Sequence, residues 1–436
     1  MGAVKSSRDE DLLDRLEFSA FCYFLETVNP ANGLVADRTR QGSPSSIAVV
    51  GFALTCYVVA VERGWMARAD AVARTLATLR FFWNSPQNDN PGATGYKGFY
   101  YHFLDPRSGK RVWQSELSMI DSALLLSGIL VAQTYFNSAA RADQEIRTLA
   151  DALFQRMDWQ WALNKGSTLA QGWKPECGFL HYGWEGYSEA TILYVLGLAS
   201  PTYPLPVTSY AAWTSTYQWE NLYGHNCLYA GPLFIHQFAH AWIDFRGIRD
   251  QFMREKQSDY FENSRAAAWI HREYALRNPR EHKGYGENCW GLTACDGPGP
   301  HASAVDGNDH RFLGYAARGA PYGPDDGTIS PPAIVGSLPF APDIALPAIR
   351  HIVERDARFR RDYRMPSGMN PTLTTGDPFC WISEGYFGLD QGLIVLMIEN
   401  YRSQLIWNLM SQCPRIRIGL RRAGFTGGWL KRRLFR

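Results

Sequence analysis

What this chain lacks narrows its chemistry. Its eight cysteines, Cys22, Cys56, Cys177, Cys227, Cys289, Cys295, Cys380 and Cys413, are widely spaced with no CxxC pair, which argues against a zinc ribbon or a small disulfide framework and makes free thiols the default. There is no Walker-type phosphate loop, no Gly-x-Ser-x-Gly elbow and no dinucleotide fingerprint after a strand. Net charge is also scarce. Lys and Arg number 44 against 42 Asp and Glu, a balance that argues against a body built to bind nucleic acid. The longest apolar run, Ile47 to Val61, is 15 residues and falls short of a membrane span. The first residues hold no apolar stretch of secretory type, so the expected location is the cytoplasm, or the periplasm if a leader was removed.

The near-neutral charge hides an asymmetry. Eight of the basic residues fall in 415–436, which holds no acid, leaving 36 bases against 42 acids elsewhere. An acidic body with a basic tail follows, and the tail is expected to be a solvated, frayed terminus able at most to touch an anionic surface weakly.

Rings are abundant. With 15 Trp, 22 Tyr and 23 Phe the chain carries more aromatic surface than a core of this size needs, as expected where a cleft binds carbohydrate. The stretch Gly284–Pro298, GYGENCWGLTACDGP, sets Tyr285 and Trp290 among glycines, an amide and a carboxylate. Glycine allows close backbone approach, and flat rings match the C–H faces of a sugar.

Helical spacing recurs from one end to the other. It predicts helices near 9–28, 45–63, 67–84, 116–136, 142–164, 187–199, 208–218, 227–245, 259–277, 344–357 and 390–410, with strands minor. Several are apolar on nearly every side and must be covered all round, whereas 142–156 is charged on one face. About a dozen helices alternating in this way, without a fixed-period repeat, point to an all-α (α/α)6 toroid, one domain over 1–414 followed by the tail 415–436. The loop-rich interval 280–343 is where such a scaffold would carry function.

Three acids stand at the heads of apolar helices: Asp121 before Leu124 and Leu125, Glu189 before Ile192 and Leu193, and Asp390 before Leu393 and Ile394. In a toroid whose inner helices run parallel these ends meet at one mouth. Convergent carboxyl groups are what glycosidic cleavage requires, one protonated to serve the leaving oxygen and one ionised to activate water or attack carbon. For any one of them alone, a first-turn acid satisfied by backbone N–H groups is the commoner explanation. Glu116, Glu185 and Glu384 lie close by in sequence and are candidates for the same roles, while Asp326 is expected to cap a turn. His236 and His240 have i, i+4 spacing but no HExxH acid, so buried, hydrogen-bonded histidines are expected and no metal. Asp244 and Arg246 look like a structural ion pair. His225 and Asn226, following Glu220 in a loop, are candidates for contacting sugar hydroxyls.

The stretches SELSMIDSALLL, YSEATILYVLGLASPTYP (187–204), LFIHQFAHAWIDFRG (233–247), YFENSR (260–265), GYGENCWGLTACDGP (284–298), DGTISPPAIVGSLPFAPD (326–343) and DQGLIVLMIENYRSQLIW (390–407) resemble the bacterial glucoamylase-like proteins. That family includes endo-β-1,2-glucanases and the transglycosylase domain of cyclic β-1,2-glucan synthases. The resemblance implies an (α/α)6 barrel acting on β-linked glucan without a cofactor, with Glu189 as general acid and Asp121 and Asp390 as further acids of the site. It also makes Trp184, Tyr187, Tyr285, Trp290 and Gln391 candidates for lining sugar subsites. Three departures stand out: YRMPSGMNP (363–371) lacks an acid of the family pattern, 299–313 looks like an insertion, and Gly392-Leu393 replaces the usual Gly-Pro. The expectation is an endo-acting β-1,2-glucan hydrolase, with a transglycosylase or a non-catalytic glycan binder as alternatives.

Overall fold

The fold is seen in a computed structural model that describes residues 7–305, 308–355, 359, 362–373 and 380–431. Among these residues helices dominate, and strands are two to five residues long. The chain separates into two compact units, each assembled from distant stretches: one from 1–23, 219–238 and 261–403, the other from 24–218, 239–260 and 404–436.

In the second of these units two apolar helices, Ile47–Glu62 and Met119–Tyr135, pack along one another. Their sequences forced the arrangement, because neither has a polar face to turn outward. Glycines set the closeness: a Cβ on Gly128 would lie 2.0 Å from the Gly51 carbonyl oxygen, and one on Gly51 would lie 2.3 Å from that of Leu124. Outside this pair, Arg68–Asn84 and Arg141–Arg156 are amphipathic and are tied by Arg68 to Asp143 at 2.7 Å and Arg80 to Glu145 at 2.7 Å. A five-stranded antiparallel sheet, Gly95–Tyr96, Phe99–Tyr101, Leu117–Ser118, Gly172–Lys174 and Gly178–Phe179 in that order, leads into Met119–Tyr135.

The basic end of the chain is folded over its described part, contrary to the expectation of fraying. Pro414–Arg422 is a helix that lies on Thr191–Ala199, where a Cβ on Gly419 would come within 2.0 Å of the Val195 carbonyl oxygen. Ile416, Leu420, Phe425 and Leu430 are buried. Its arginines serve the fold: Arg415 pairs with Asp151 at 2.9 Å and Arg422 donates to the Leu198 carbonyl at 2.8 Å. Apolar residues at helical spacing outweighed the charge; residues 432–436 lie outside the described residues.

The other unit holds most of Ser7–Glu26 and Tyr260–Arg277, together with Pro331–Gly336, Pro342–Arg355 and Gly388–Arg402. Arg402 gathers Glu10, Asp14 and Glu17 at 2.8–3.4 Å. The expected insertion forms a hairpin, His301–Val305 against Asn308–Phe312, and Met369–Asn370 of the divergent stretch pairs with Trp381–Ile382.

Three long helices predicted from spacing are interrupted. Residues 227–245 contain the strand His225–Leu228, a 3-10 turn Leu233–His236 and the short helix Phe238–Trp242, because Gly231-Pro232 cannot continue a helix. Residues 142–164 break at Met157, after which Asp158 caps Trp159–Ala162 by accepting from Trp161 N at 2.9 Å. Residues 390–410 break where Gln404 takes a left-handed φ of 61°. No helix among the described residues is long and apolar enough to cross a membrane.

Candidate active site

Strand register builds the centre of the site. Tyr101 stands opposite Leu117, so the flanking residues His102 and Glu116 fall side by side: the His102 N–H donates to the Glu116 carbonyl at 2.9 Å, and Nδ1 lies 2.9 Å from Glu116 Oε1. Asp121 enters from the first turn of Met119–Tyr135. Ser118 caps that helix, accepting from Asp121 N at 3.2 Å and donating to Asp121 Oδ2 at 2.5 Å. The same Oδ2 lies 3.6 Å from His102 Nε2. One imidazole therefore spans two carboxylates, and the Phe103 ring stacks on it at 3.9 Å.

The charges follow from this geometry. Burial works against a charged His102, but Asp121, Glu116 and Asp37 outweigh it and hold its pKa up at about 9, so it is an imidazolium at neutral pH. Glu116 is likewise opposed by burial, yet its bond to His102 keeps it below the ordinary carboxylate range. Asp37 is pushed upward by burial, with Arg38 and His102 opposing and Asp121 adding to the rise. His102, Glu116 and Asp121 offer ligand atoms within 4.8 Å of one another. A protonated imidazole has no lone pair to offer a metal and presents both nitrogens to the carboxylates as donors, so no metal is assigned to the trio.

Glu189 behaves differently. It stands in the turn one residue before the cap of Thr191–Ala199, not in the helix as the spacing predicted. Protein packs densely around it although it keeps partial exposure, and this burial lifts its carboxyl to about 7; its own N–H opposes the rise and the Asp121 charge adds to it. No other described residue hydrogen-bonds that carboxyl. An acid holding its proton near neutrality, with an ionised neighbour and no hydrogen bond from another described residue, is equipped to give the proton to something else. Asp121 keeps its second oxygen, Oδ1, without a hydrogen-bond partner among the described residues.

Beside Glu189, Tyr187 stacks on Tyr260 at 5.9 Å and meets Tyr217 edge-on at 5.8 Å. Tyr210 and Tyr260 in turn donate to Asp250 at 2.8 and 2.7 Å, which fixes this aromatic wall. Trp184 is half-buried, its carbonyl accepting from Tyr194 Oη at 3.0 Å.

The remaining candidates belong to the other unit. Asp390 sits in the first turn of Gly388–Arg402, where its charge, with burial first and against Arg318, contributes to lifting the Cys295 thiol to about 12. Tyr285 donates to Asp325 at 2.6 Å. His225 lies on a hairpin strand with its ring 6.3 Å from that of Trp269, and Asn226 accepts from Asn221 at 2.8 Å. Two expectations are corrected: Trp290 is 1% exposed and Gln391 0%, with Gln391 Nε2 bonded to the Met365 carbonyl at 2.8 Å, so neither offers a face to a sugar in this conformation. Both were drawn inward by the apolar residues around them. Asp326 does accept from Thr328 N at 3.2 Å as a turn cap, but its main partner is Arg318, at 2.6 and 2.8 Å. His236 is buried and bonded to the Ala230 carbonyl at 3.1 Å, and Asp244 pairs with Arg246 at 2.8 Å, both as expected.

His102, Asp37 and Arg318 were not foreseen. Ser118 had a local signal, a hydroxyl three residues before Asp121 at a helix start. His102 had none, since only strand pairing brings it to Glu116.

A helical scaffold presenting a proton-bearing carboxyl next to ionised carboxylates defines a protein suited to acid-base cleavage of an acetal, the class to which glycoside hydrolases belong. Comparison with known proteins agrees. The profile of the putative glucoamylase family matches residues 181–414, and the chain belongs to that family. It is similar to a crystal structure of a putative glucoamylase from Bacteroides uniformis, with 30% identity and a TM-score of 0.85 over 98% of this chain and 100% of the other. An endo-β-1,2-glucanase from Chitinophaga pinensis, solved with sophorotriose and glucose, gives 26% identity and a TM-score of 0.82 over 98% and 100%. A curated relative from Parabacteroides distasonis, an exo-β-1,2-glucooligosaccharide sophorohydrolase acting at the non-reducing end, is 27% identical over 95% of this chain. The chain spans 58% of that relative's length.

Proposed function

We propose that this protein is a glycoside hydrolase that cleaves β-1,2-linked glucan within the chain. The observation that carries the reading is Glu189, a carboxyl raised to about 7 beside Asp121 and bonded to no other described residue. Glu189 gives its proton to the glycosidic oxygen as the C–O bond breaks, and the departing sugar leaves as an alcohol. Water adds to the anomeric carbon and passes its proton to an ionised carboxylate, Asp121 through Oδ1. Trp184 and Tyr187 precede Glu189 closely in sequence and supply ring surface to the sugar.

The likeness to the endo-acting enzyme over 98% of this chain supports internal cleavage as the reading. The alternation of helices apolar on every side with amphipathic ones supports the (α/α)6 double ring as their arrangement. The test is a panel of linkage-defined α- and β-glucans with product sizing. Short β-1,2-linked oligosaccharides with a matching rise in reducing ends are expected; transfer products without that rise, or turnover only of another linkage, would overturn the reading.

A further inference from the structure

Among the described tryptophans Trp113 is the most exposed large ring, at 69%, and it is held there at a conformational cost. Trp113 and Gln114 have φ of 56° and 52°, two consecutive side-chain-bearing residues in the left-handed region that glycine ordinarily fills. The turn is braced, not loose. Buried Arg111 donates through Nε to the Ser115 carbonyl at 2.5 Å and grips Glu176 at 2.6 and 3.1 Å, while Val112 N donates to the Phe103 carbonyl at 3.1 Å. The ring is also well placed. It meets Phe103 edge-on at 5.4 Å, and Phe103 stacks on His102, so two ring contacts join Trp113 to the imidazolium that spans Glu116 and Asp121.

A large apolar ring left in water on a strained, rigid turn contributes little to folding. Its flat face, a short step from the carboxylates, suits the C–H face of a pyranose. We propose that Trp113 is a platform on which a glucosyl unit stacks, forming a subsite set off from the carboxylate cluster by the Phe103 ring and so outside the bond that is cut. This rests on the glucan-hydrolase reading and adds to it the reason for a preference for longer chains: a platform outside the cleavage point is filled only when the substrate extends to it.

The experiment compares Trp113→Ala, Trp113→Tyr and Trp113→Gly with wild type, using β-1,2-gluco-oligosaccharides of graded length. In Trp113→Ala, KM for long oligosaccharides is expected to rise about tenfold while kcat/KM for the shortest one cleaved is unchanged, and Trp113→Tyr restores most of the loss. Trp113→Gly separates function from structure. If the ring serves binding, glycine relieves the left-handed strain, so the melting temperature holds or rises while long oligosaccharides bind as poorly as to Trp113→Ala. Equal KM values for wild type and Trp113→Ala at every length, or a fall in melting temperature in Trp113→Gly accompanied by uniform loss for all lengths, would overturn the proposal and leave the hydrolase reading standing. Failure of the wild type to bind or cleave any β-1,2-glucan would overturn both.

Discussion

Each unit of the molecule buries a group of acids, and the two groups are built to opposite ends. Around Asp325 and Asp326, donors satisfy the carboxylates: Arg318 grips Asp326 twice, and Tyr274, Tyr285 and Gly327 N–H donate to Asp325. Burial opposes ionisation there, yet His282, 3.5 Å from Asp325, together with the Tyr285 and Gly327 bonds, brings Asp325 down to about 2, and Arg318 holds Asp326 below its ordinary value. Around Glu189 burial is the largest influence, the Asp121 charge adds to it against the residue's own N–H, and the carboxyl rises to about 7. Burial is common to both. What separates an acid that holds a loop in place from one able to give up a proton is whether the protein itself supplies the donors.

The comparison predicts opposite responses to mutation. Glu189→Gln should lower hydrolysis of β-1,2-glucan by about 10²–10⁴-fold, the range for loss of a general acid, with an unchanged circular dichroism spectrum. A variant retaining the wild-type rate would remove Glu189 from the chemistry. Arg318→Ala leaves Asp326 buried without its cation and should cost about 3–5 kcal/mol in urea unfolding. A loss below about 1 kcal/mol would mean that the contact is not structural, and the contrast between the regions would fail.

Acid separates them more gently. The folded value of Asp325 is depressed, so its contribution, of order 2 kcal/mol, is present above about pH 4 and is lost as pH falls toward 2. Asp325→Asn should therefore flatten the acid side of the stability curve and leave the alkaline side alone. His102 runs the other way. Its folded value is raised to about 9, so its contribution is complete below about 6.5 and disappears as pH rises through 9. Replacing Glu116 with Gln removes one of its carboxylate partners and should lower the imidazole titration, followed by NMR, by about one unit; an unmoved titration would show that Glu116 does not set that charge.

How much of this the sequence disclosed depends on the range of the interaction. Apolar helices such as Ile47–Glu62 and Met119–Tyr135 were legible because a run without a polar face has few ways to be satisfied. Glu189 and Asp121 were legible as acids ahead of such runs, and the resemblance singled out Glu189. His102 was hidden, because its partner Glu116 is brought beside it by a strand register that no local pattern announces. Trp290 and Gln391 misled for the converse reason: a ring and an amide in promising motifs were packed into the core. The basic tail misled through its charge, while Ile416 and Leu420 carried the spacing of a helix that docks.

The account turns on the proton of Glu189, and its direct test is a titration of that carboxyl by 13C NMR in the wild-type protein, assigned by its disappearance in Glu189→Gln. A midpoint near 7 is expected. By linkage, stability should then fall as pH rises from about 4.5 to about 7, and Glu189→Gln should be the more stable protein at pH 8 by about 1–2 kcal/mol but not at pH 4. A midpoint near 4.5, with no stability gain in the variant at pH 8, would place an ordinary ionised glutamate at this position and contradict the central claim.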